Sequence, residues 1–423
     1  MSQAKNKLPR VVIIGAGLSG LPAALELEKI HRQDPCFSLT VVDRSPYHLN
    51  HACLYEVATA PIELSPAEYG ALADGTQVKL KSWSYIFPRA NLNVLQATVT
   101  GLDLAHRRIH FHDHETLDYD YIIIAVGSQP QFSNIAGLAQ NSRTLRNIPE
   151  ALRIHRRLNE LIAAAEHQLH PIRIVVGGAG LAGVEIASQI QAVLNRIITT
   201  GKIKNETVTV WLVESSPTIL PSHDHWTQTT TAQRLRRLGV KIITGQAIVR
   251  VDAQQVILAD QPRLDYDLLI WTGGIQANTL LQQLGLSTAG HGQLCVDQYL
   301  RLPEHQEITV IGDGIYFLDP VSGRQIPQTA YLATAQGIIA AGNIHRTIRQ
   351  RQLKPYQPKH LVYTFPVGGR WAISIIGGWR LSGRSGWMVR RIVELDHYLS
   401  ILSFSSAIKT WWRGGRVYLP KKS

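Results

Sequence analysis

The sequence predicts an α/β fold made of two strand–glycine turn–helix units, the second inserted in the first, with a basic amphipathic segment at the C-terminus. Three observations carry this. The pattern Gly-x-Gly-x-x-Gly occurs twice, each time between a β-branched run and an Ala/Leu-rich helical pattern. Each copy is followed by a second apolar run that ends in an acid. The net charge of +12 is lopsided, since residues 351–423 hold 13 Lys/Arg against two acids, Glu394 and Asp396. At 423 residues the chain is long enough for two or three domains and a sizeable core.

The first unit opens with "RVVIIGAGLSGLPAALELEKI". Gly15 is expected to make the tight turn, Gly17 to let a pyrophosphate approach the backbone, and Gly20 to let helix and strand pack closely. The helix N-terminus would face the phosphates. The next strand, "FSLTVVDRSPYH", ends in Asp43, which is placed to accept from an adenosine ribose hydroxyl, with Arg44 beside it. In this setting the motif is a Rossmann-like dinucleotide-binding fingerprint.

The second unit, "PIRIVVGGAGLAGVEIASQI", repeats the device at Gly178, Gly180 and Gly183. Its helix is expected to run on through "QAVLNRIITTGKIKN", and its partner strand, "VTVWLVESSPTIL", to end in Glu214. An acid there favours a free 2′-hydroxyl, hence NADH over NADPH. Two fingerprints point to a flavin and a nicotinamide dinucleotide, the usual pair for hydride transfer. "DYDYIIIAVGSQP" and "LDYDLLIWTGGIQ" read as strands returning from β-hairpins, ending at Gly127 and at Gly273-Gly274. "EITVIGDGIYFLDP" adds a buried strand ending in Gly312-Asp313. Asp313 is a candidate for a flavin ribityl hydroxyl, or else part of a strand-end turn.

These residues resemble the two-dinucleotide flavoproteins, and specifically the type II NADH:quinone oxidoreductases, over most of residues 9–345. "DRSPYHLNHACLYEVATA" is similar to the family's stretch after the first acid, with Tyr47, His48, Leu54, Tyr55, Glu56, Val57, Ala58 and Thr59 in place. The resemblance implies non-covalent FAD in a discontinuous domain, residues 1–145 and 285–345, with Ala330 among its contacts. It implies NADH in residues 146–284, and Glu185 of "GVEIA" at the nicotinamide face, relaying a proton or steering NADH. It also implies a membrane quinone as acceptor, reduced without proton pumping, with Tyr331, Ala333 and Gln336 on the quinone side. Tyr331 and Ala335 stand where the family's quinone-side motif carries glutamines, and "NHAC" at 50–53 stands where it carries Phe-Gln-Pro-Leu.

Cys53 leaves an alternative open. A thiolate beside a flavin would make the protein a single-cysteine disulfide or peroxide reductase; otherwise Cys53 packs as a small hydrophobe. A low-turnover membrane-bound flavoprotein is a further alternative. With Cys36, Cys53 and Cys295 at unrelated spacings, a disulfide framework and a cysteine-rich metal site are not expected, nor is the cysteine pair of a sulfide:quinone oxidoreductase. "HFHDHE" puts His110, His112 and His114 at period two, on one face if all three lie in a strand. That face either holds a metal or is the wet side of a β-meander, and no metal is expected.

Residues 346–423 form the last region. "LVYTFPVGGRWAISIIGG" alternates like strands with glycine turns. An interfacial helix is expected over about 385–412, capped by Ser385, with Trp387, Arg391, Leu395, Tyr398 and Leu402 on one face. Met388, Ile392, Leu399 and Ile401 widen its apolar area. Five of the nine Trp lie in this region. Trp, Tyr and basic residues suit an anionic bilayer surface. The other readings are a helix packed on its own core or on a dimer partner, and, without a supporting motif, nucleic acid. No signal peptide is expected from "MSQAKNKLPR", and no apolar run reaches the length of a membrane span. The expected location is the cytoplasmic face of the membrane, as a peripheral enzyme and possible homodimer.

Overall fold

The structure is a computed structural model and describes residues 8–60, 77–79, 92–168, 170–260, 263–359 and 362–416. Its principal helices are α1 (Gly20–Gln33), α2 (Leu54–Ala58), α3 (Ile148–Glu166), α4 (Leu181–Thr199), α5 (His225–Leu238), α6 (Ala330–Ile348), α7 (Arg384–Ile401) and α8 (Phe404–Arg416). The chain divides into two compact units. One holds 1–50, 77–129 and 276–360; the other holds 51–76, 130–275 and 361–423.

The first unit is built on a six-stranded sheet. Arg10–Ile14 lies between Tyr121–Ile124 and Ser38–Asp43, and pairs with both in parallel. His305–Val310 and Leu92–Gln96 extend the two sides, also in parallel. The runs Val11–Ile14 and Ile122–Ile124 are fully buried, as expected for central strands covered on both faces. Helix α6, capped by Thr329 accepting from the Leu332 amide, packs on α1. Gly337 permits the close approach, since a Cβ there would lie 2.3 Å from the Ser19 carbonyl oxygen. A separate antiparallel meander runs through Val99–Asp103, Arg108–Phe111 and Leu117–Asp118.

The second unit repeats the plan with a four-stranded parallel sheet, Lys241–Ile243, Val208–Val213, Ile172–Gly177 and Leu268–Trp271. Asn147 and Asp224 cap α3 and α5 by accepting from backbone amides of the first turns. Val362–Pro366, Ala372–Ile376 and Trp379–Gly383 form an antiparallel sheet on which α7 packs.

Several expectations change. Helix α4 stops at Thr199, and Gly201 follows at φ 76°. The tail is two helices, because Leu402 is extended between them. Helix α7 starts after Gly383 at φ 80°; Ser385 does not cap it but donates to the Ser382 carbonyl. The exposed face of α7 is narrower than expected. Arg391 and Tyr398, expected toward the bilayer, are buried, together with Arg390, Glu394 and Ile401. Met388, Ile392 and Leu399, expected to widen the apolar area, are exposed. Of the three histidines at period two, only His110 lies in a strand, and His112 and His114 lie beyond its end.

Candidate active site

The first glycine turn is tightened from below. The Gly15 amide donates to the Val42 carbonyl at 2.7 Å. At φ 98°, a Cβ on Gly15 would lie 2.4 Å from the Ala125 carbonyl oxygen, and one on Gly20 would lie 1.8 Å from that of Gly15. A Cβ on Gly17 would meet nothing within 4 Å. The first and third glycines are thus dictated by the chain itself, whereas the middle one faces open space, as a phosphate cradle requires. Helix α1 begins without a side-chain cap, leaving its first amides for an anion.

Two side chains hold the Ala16 peptide. Asp43 Oδ2 accepts from the Ala16 amide at 2.7 Å, and His48 Nδ1 donates to the Ala16 carbonyl at 2.8 Å. The Asp43 pKa is raised, first by burial, against the pull of the Ala16 and Ser45 amides. Arg44 beside it is exposed. The bracing role of His48 was missed in the sequence, although the Tyr47-His48 pair marked the position.

The second turn is a close copy. A Cβ on Gly178 would lie 2.4 Å from Gly273 Cα, and one on Gly183 would lie 1.9 Å from the Gly178 carbonyl oxygen, while Gly180 has nothing within 4 Å. Glu214 Oε2 accepts from the Ala179 amide at 2.7 Å, as Asp43 does from Ala16. Helix α4 also starts without a side-chain cap. Gly273 is set by the Trp271 indole, which a Cβ would strike at 2.4 Å. Both cradles therefore fit the pyrophosphate of a dinucleotide.

Also in the first unit, Gly127 turns at φ 68° and Gly312 at φ 78°. Asp313 Oδ2 accepts from Ser128 Oγ at 2.6 Å. Gln336 is buried, and its Oε1 accepts from the Gly312 amide at 2.7 Å. Its side chain is therefore committed to holding the turn that presents Asp313. On α6, Ala330 and Tyr331 are exposed and Ala333 is buried.

In the second unit, Glu185 lies on the first turns of α4 and keeps part of its surface open, yet crowding around its carboxyl pushes its pKa up to about 8. Burial is the main cause; the Arg390 charge opposes it and the Glu56 charge adds to it. Arg390 Nη2 donates to the Tyr55 hydroxyl at 2.5 Å and to Glu56 Oε1 at 3.3 Å, and Tyr55 donates to Glu56 at 2.8 Å. Arg391 Nη1 donates to Glu394 Oε2 at 2.7 Å. None of this ionic group beneath α7 was read from the sequence. The four-residue spacing of Arg390 and Glu394 was its only signal.

Cys53 is 2% exposed, with Tyr398 Oη 4.0 Å from its Sγ. Burial, then Glu56 and Glu394, push its thiol well above the usual range. A thiol so held stays protonated and unreactive, which disfavours the disulfide-reductase reading. Metal-ligating groups gather at two places among the described residues, Asp34–Cys36–His345 and Cys53–Glu56–Glu394. Arg349 already pairs with Asp34 in the first, and Arg390 with Glu56 in the second. The histidines of "HFHDHE" do not converge: His112 bonds Asp113, and His114 reaches the Gln96 carbonyl.

The profile described as pyridine nucleotide-disulphide oxidoreductase matches residues 9–337. Demethylphylloquinone reductase NdbB of Synechocystis is 27% identical over 401 residues, covering 92% of each chain. Type II NADH:quinone oxidoreductase Ndh of Mycobacterium tuberculosis is 26% identical, covering 95% of this chain and 87% of its own. Among solved structures, NDH2 of Plasmodium falciparum in complex with NADH superposes with a TM-score of 0.82 at 17% identity, over 97% of this chain and 98% of that one.

Proposed function

We propose, from the premise that the chain belongs to the pyridine nucleotide-disulphide oxidoreductase family, that it is an FAD-dependent enzyme passing electrons from NADH to a membrane quinone. The observation that carries this is the duplicated cradle, with Asp43 on Ala16 and Glu214 on Ala179. The first cradle, with Asp313, holds FAD, and the second holds NADH; these sites define the flavin and nicotinamide domains. Relatives named for NADH:quinone and demethylphylloquinone chemistry support a quinone as acceptor. Bound flavin supplies the two-electron step between a hydride donor and a quinone.

The chain's own residues bind, orient and move protons. Gly17 and Gly180 admit the pyrophosphates, and Glu214 selects the free ribose hydroxyl of NADH. Glu185, with a pKa of about 8, holds a proton at neutral pH and can donate it to a neighbouring group that becomes basic as it gains negative charge. Tyr331 and Ala333 border the acceptor, while Gln336 serves it indirectly by fixing Gly312.

The quinone is lipid-soluble, and the tail supports docking on a bilayer surface. Met388, Ile392 and Leu399 on α7 are joined by Phe404, Ile408 and Trp412 on α8 as exposed apolar side chains, with Arg384 and Lys409 exposed beside them. Such a face suits an anionic leaflet, here the cytoplasmic one. No helix among the described residues is long and apolar enough to cross a membrane. The test is anaerobic stopped flow: NADH should bleach the flavin, and a quinone should restore its colour. Flavin that stays reduced with benzo- and naphthoquinones but is reoxidised by a disulfide or peroxide would defeat the reading.

A further inference from the structure

Helices α1 and α6 meet at their C-terminal ends, where a carboxylate, a thiol and an imidazole come together. Asp34 is the C-cap of α1, and its carbonyl accepts from the Cys36 amide at 2.8 Å. Pro35 between them has a fixed φ, so both side chains hang from a stiff turn. His345 stands in the last turn of α6, and its Nε2 donates to Asp34 Oδ2 at 2.9 Å. One ligand atom from each of the three lies within 4.8 Å of the other two. Tetrahedral zinc, with bonds of about 2.0–2.3 Å, needs such atoms about 3.3–3.6 Å apart. Closing the set therefore takes shifts of at most about 1.5 Å, within reach of side-chain rotation. Cys36 is buried, while Asp34 and His345 keep 28% and 14% of their side chains in solvent, which leaves an edge for a water as fourth ligand.

The chemistry of the set selects the ion. Sulfur and nitrogen ligands favour a borderline-soft cation over calcium or magnesium, which take oxygen. A thiolate and a carboxylate also match the two charges of zinc, with the imidazole neutral. Burial, then the Asp34 charge, push the Cys36 thiol up, so it is no nucleophile on its own; a bound cation would draw its proton off. Arg349 is the competitor. It pairs with Asp34 through both Nε and Nη2, but its side chain is 42% exposed and follows the end of α6, so it can turn to water. The neighbouring Arg346 is already turned away, to the Gln352 carbonyl at 3.1 Å. Neither the dinucleotide cradles nor the acceptor side uses these groups. We propose that Asp34, Cys36 and His345 bind a zinc ion that displaces Arg349 and clips the ends of α1 and α6 together.

The test uses the untagged, full-length, oxidised flavoprotein, with cobalt(II) alone as the probe. Titration should produce the long-wavelength absorption of tetrahedral cobalt, clear of the flavin bands, and saturate at one ion per chain; zinc should then abolish it. Cys36→Ser and His345→Gln should each remove the absorption, while His112→Gln, outside the cluster, should leave it unchanged. Arg349→Gln removes the competitor. An exposed pair of this kind contributes little, so the variant should need about two- to fivefold less cobalt. Zinc should also raise the melting temperature of the wild type and not that of Cys36→Ser, as a ligand of the folded state does. Absorption that never appears, survives Cys36→Ser, or needs no less cobalt in Arg349→Gln overturns the proposal. An equal zinc-induced rise in both melting temperatures does the same. The two ligand variants are judged with their flavin spectrum and reduction by NADH intact, and if either fails to fold, the gain in Arg349→Gln decides.

Discussion

Replacing Ile392 and Phe404 together by Gln tests whether the exposed face of α7 and α8 binds a bilayer. Complete burial of an Ile or Phe side chain is worth about 1.5–3 kcal/mol. Ile392 shows 63% and Phe404 74% of its surface to solvent. Scaling the middle of that range by exposure gives about 1.4 and about 1.7 kcal/mol. The pair should therefore weaken vesicle partition by about 3 kcal/mol, on the order of 100-fold. The assay is flotation with anionic vesicles at low salt, with NADH oxidation by a soluble acceptor as the check on folding. Arg391→Gln is the informative contrast. If Arg391 touched headgroups, its loss would cost partition about 1 kcal/mol. At 4% exposed and paired with Glu394, it should instead leave partition of the folded protein unchanged and lower stability by about 3 kcal/mol. Partition of the Ile392/Phe404 double variant within about threefold of wild type, far from the 3 kcal/mol expected, would refute the reasoning.

Four further outcomes are expected. Gly180→Val should raise the NADH dissociation constant on the order of tenfold with an unchanged melting temperature, since its side chain enters open space. Gly183→Ala should cost folded yield as well, because its Cβ meets the Gly178 carbonyl at 1.9 Å. Cys53→Ser should keep NADH–quinone turnover within about twofold, and a loss beyond tenfold would return the thiol to the chemistry. Glu185→Gln should flatten part of the pH dependence of stability. An acid whose folded pKa, about 8, lies above its unfolded value contributes stability that is full below the unfolded pKa and is lost as pH rises through the folded one. Relative to wild type, the Gln variant should gain with pH from about 5 to about 8, by at most about 1.4 kcal/mol per pH unit, read from paired urea titrations. A difference that stays constant with pH would contradict the raised pKa.

Both cradles were legible in the sequence because their constraints are local. Gly15 and Gly20 meet carbonyls of their own turn or of the neighbouring strand, and Asp43 ends the strand that lies beside them. His48 was half legible, as part of a recognised pair with no visible partner, because its contact is 32 positions away. The ion cluster was not legible. Arg390 and Glu56 are 334 residues apart, and periodicity on α7 cannot say which side meets the protein. Arg391 and Tyr398 do share a stripe, but packing on α8 and on Cys53 turns that stripe inward. Gln336 read as an acceptor contact because its carbonyl's engagement with Gly312 depends on where α6 lands.

Helix α7 also answers to two different selections. Its ionic side is bound to partners from α2 and α8, so exchange of one member demands compensation in another. Met388, Ile392 and Leu399 have no such obligation to the fold. Left uncovered they form an adhesive stripe, and the isolated protein should self-associate at high concentration unless detergent covers it. Charged replacements along that stripe should yield a better-behaved solution protein with the same spectrum and the same nucleotide affinity.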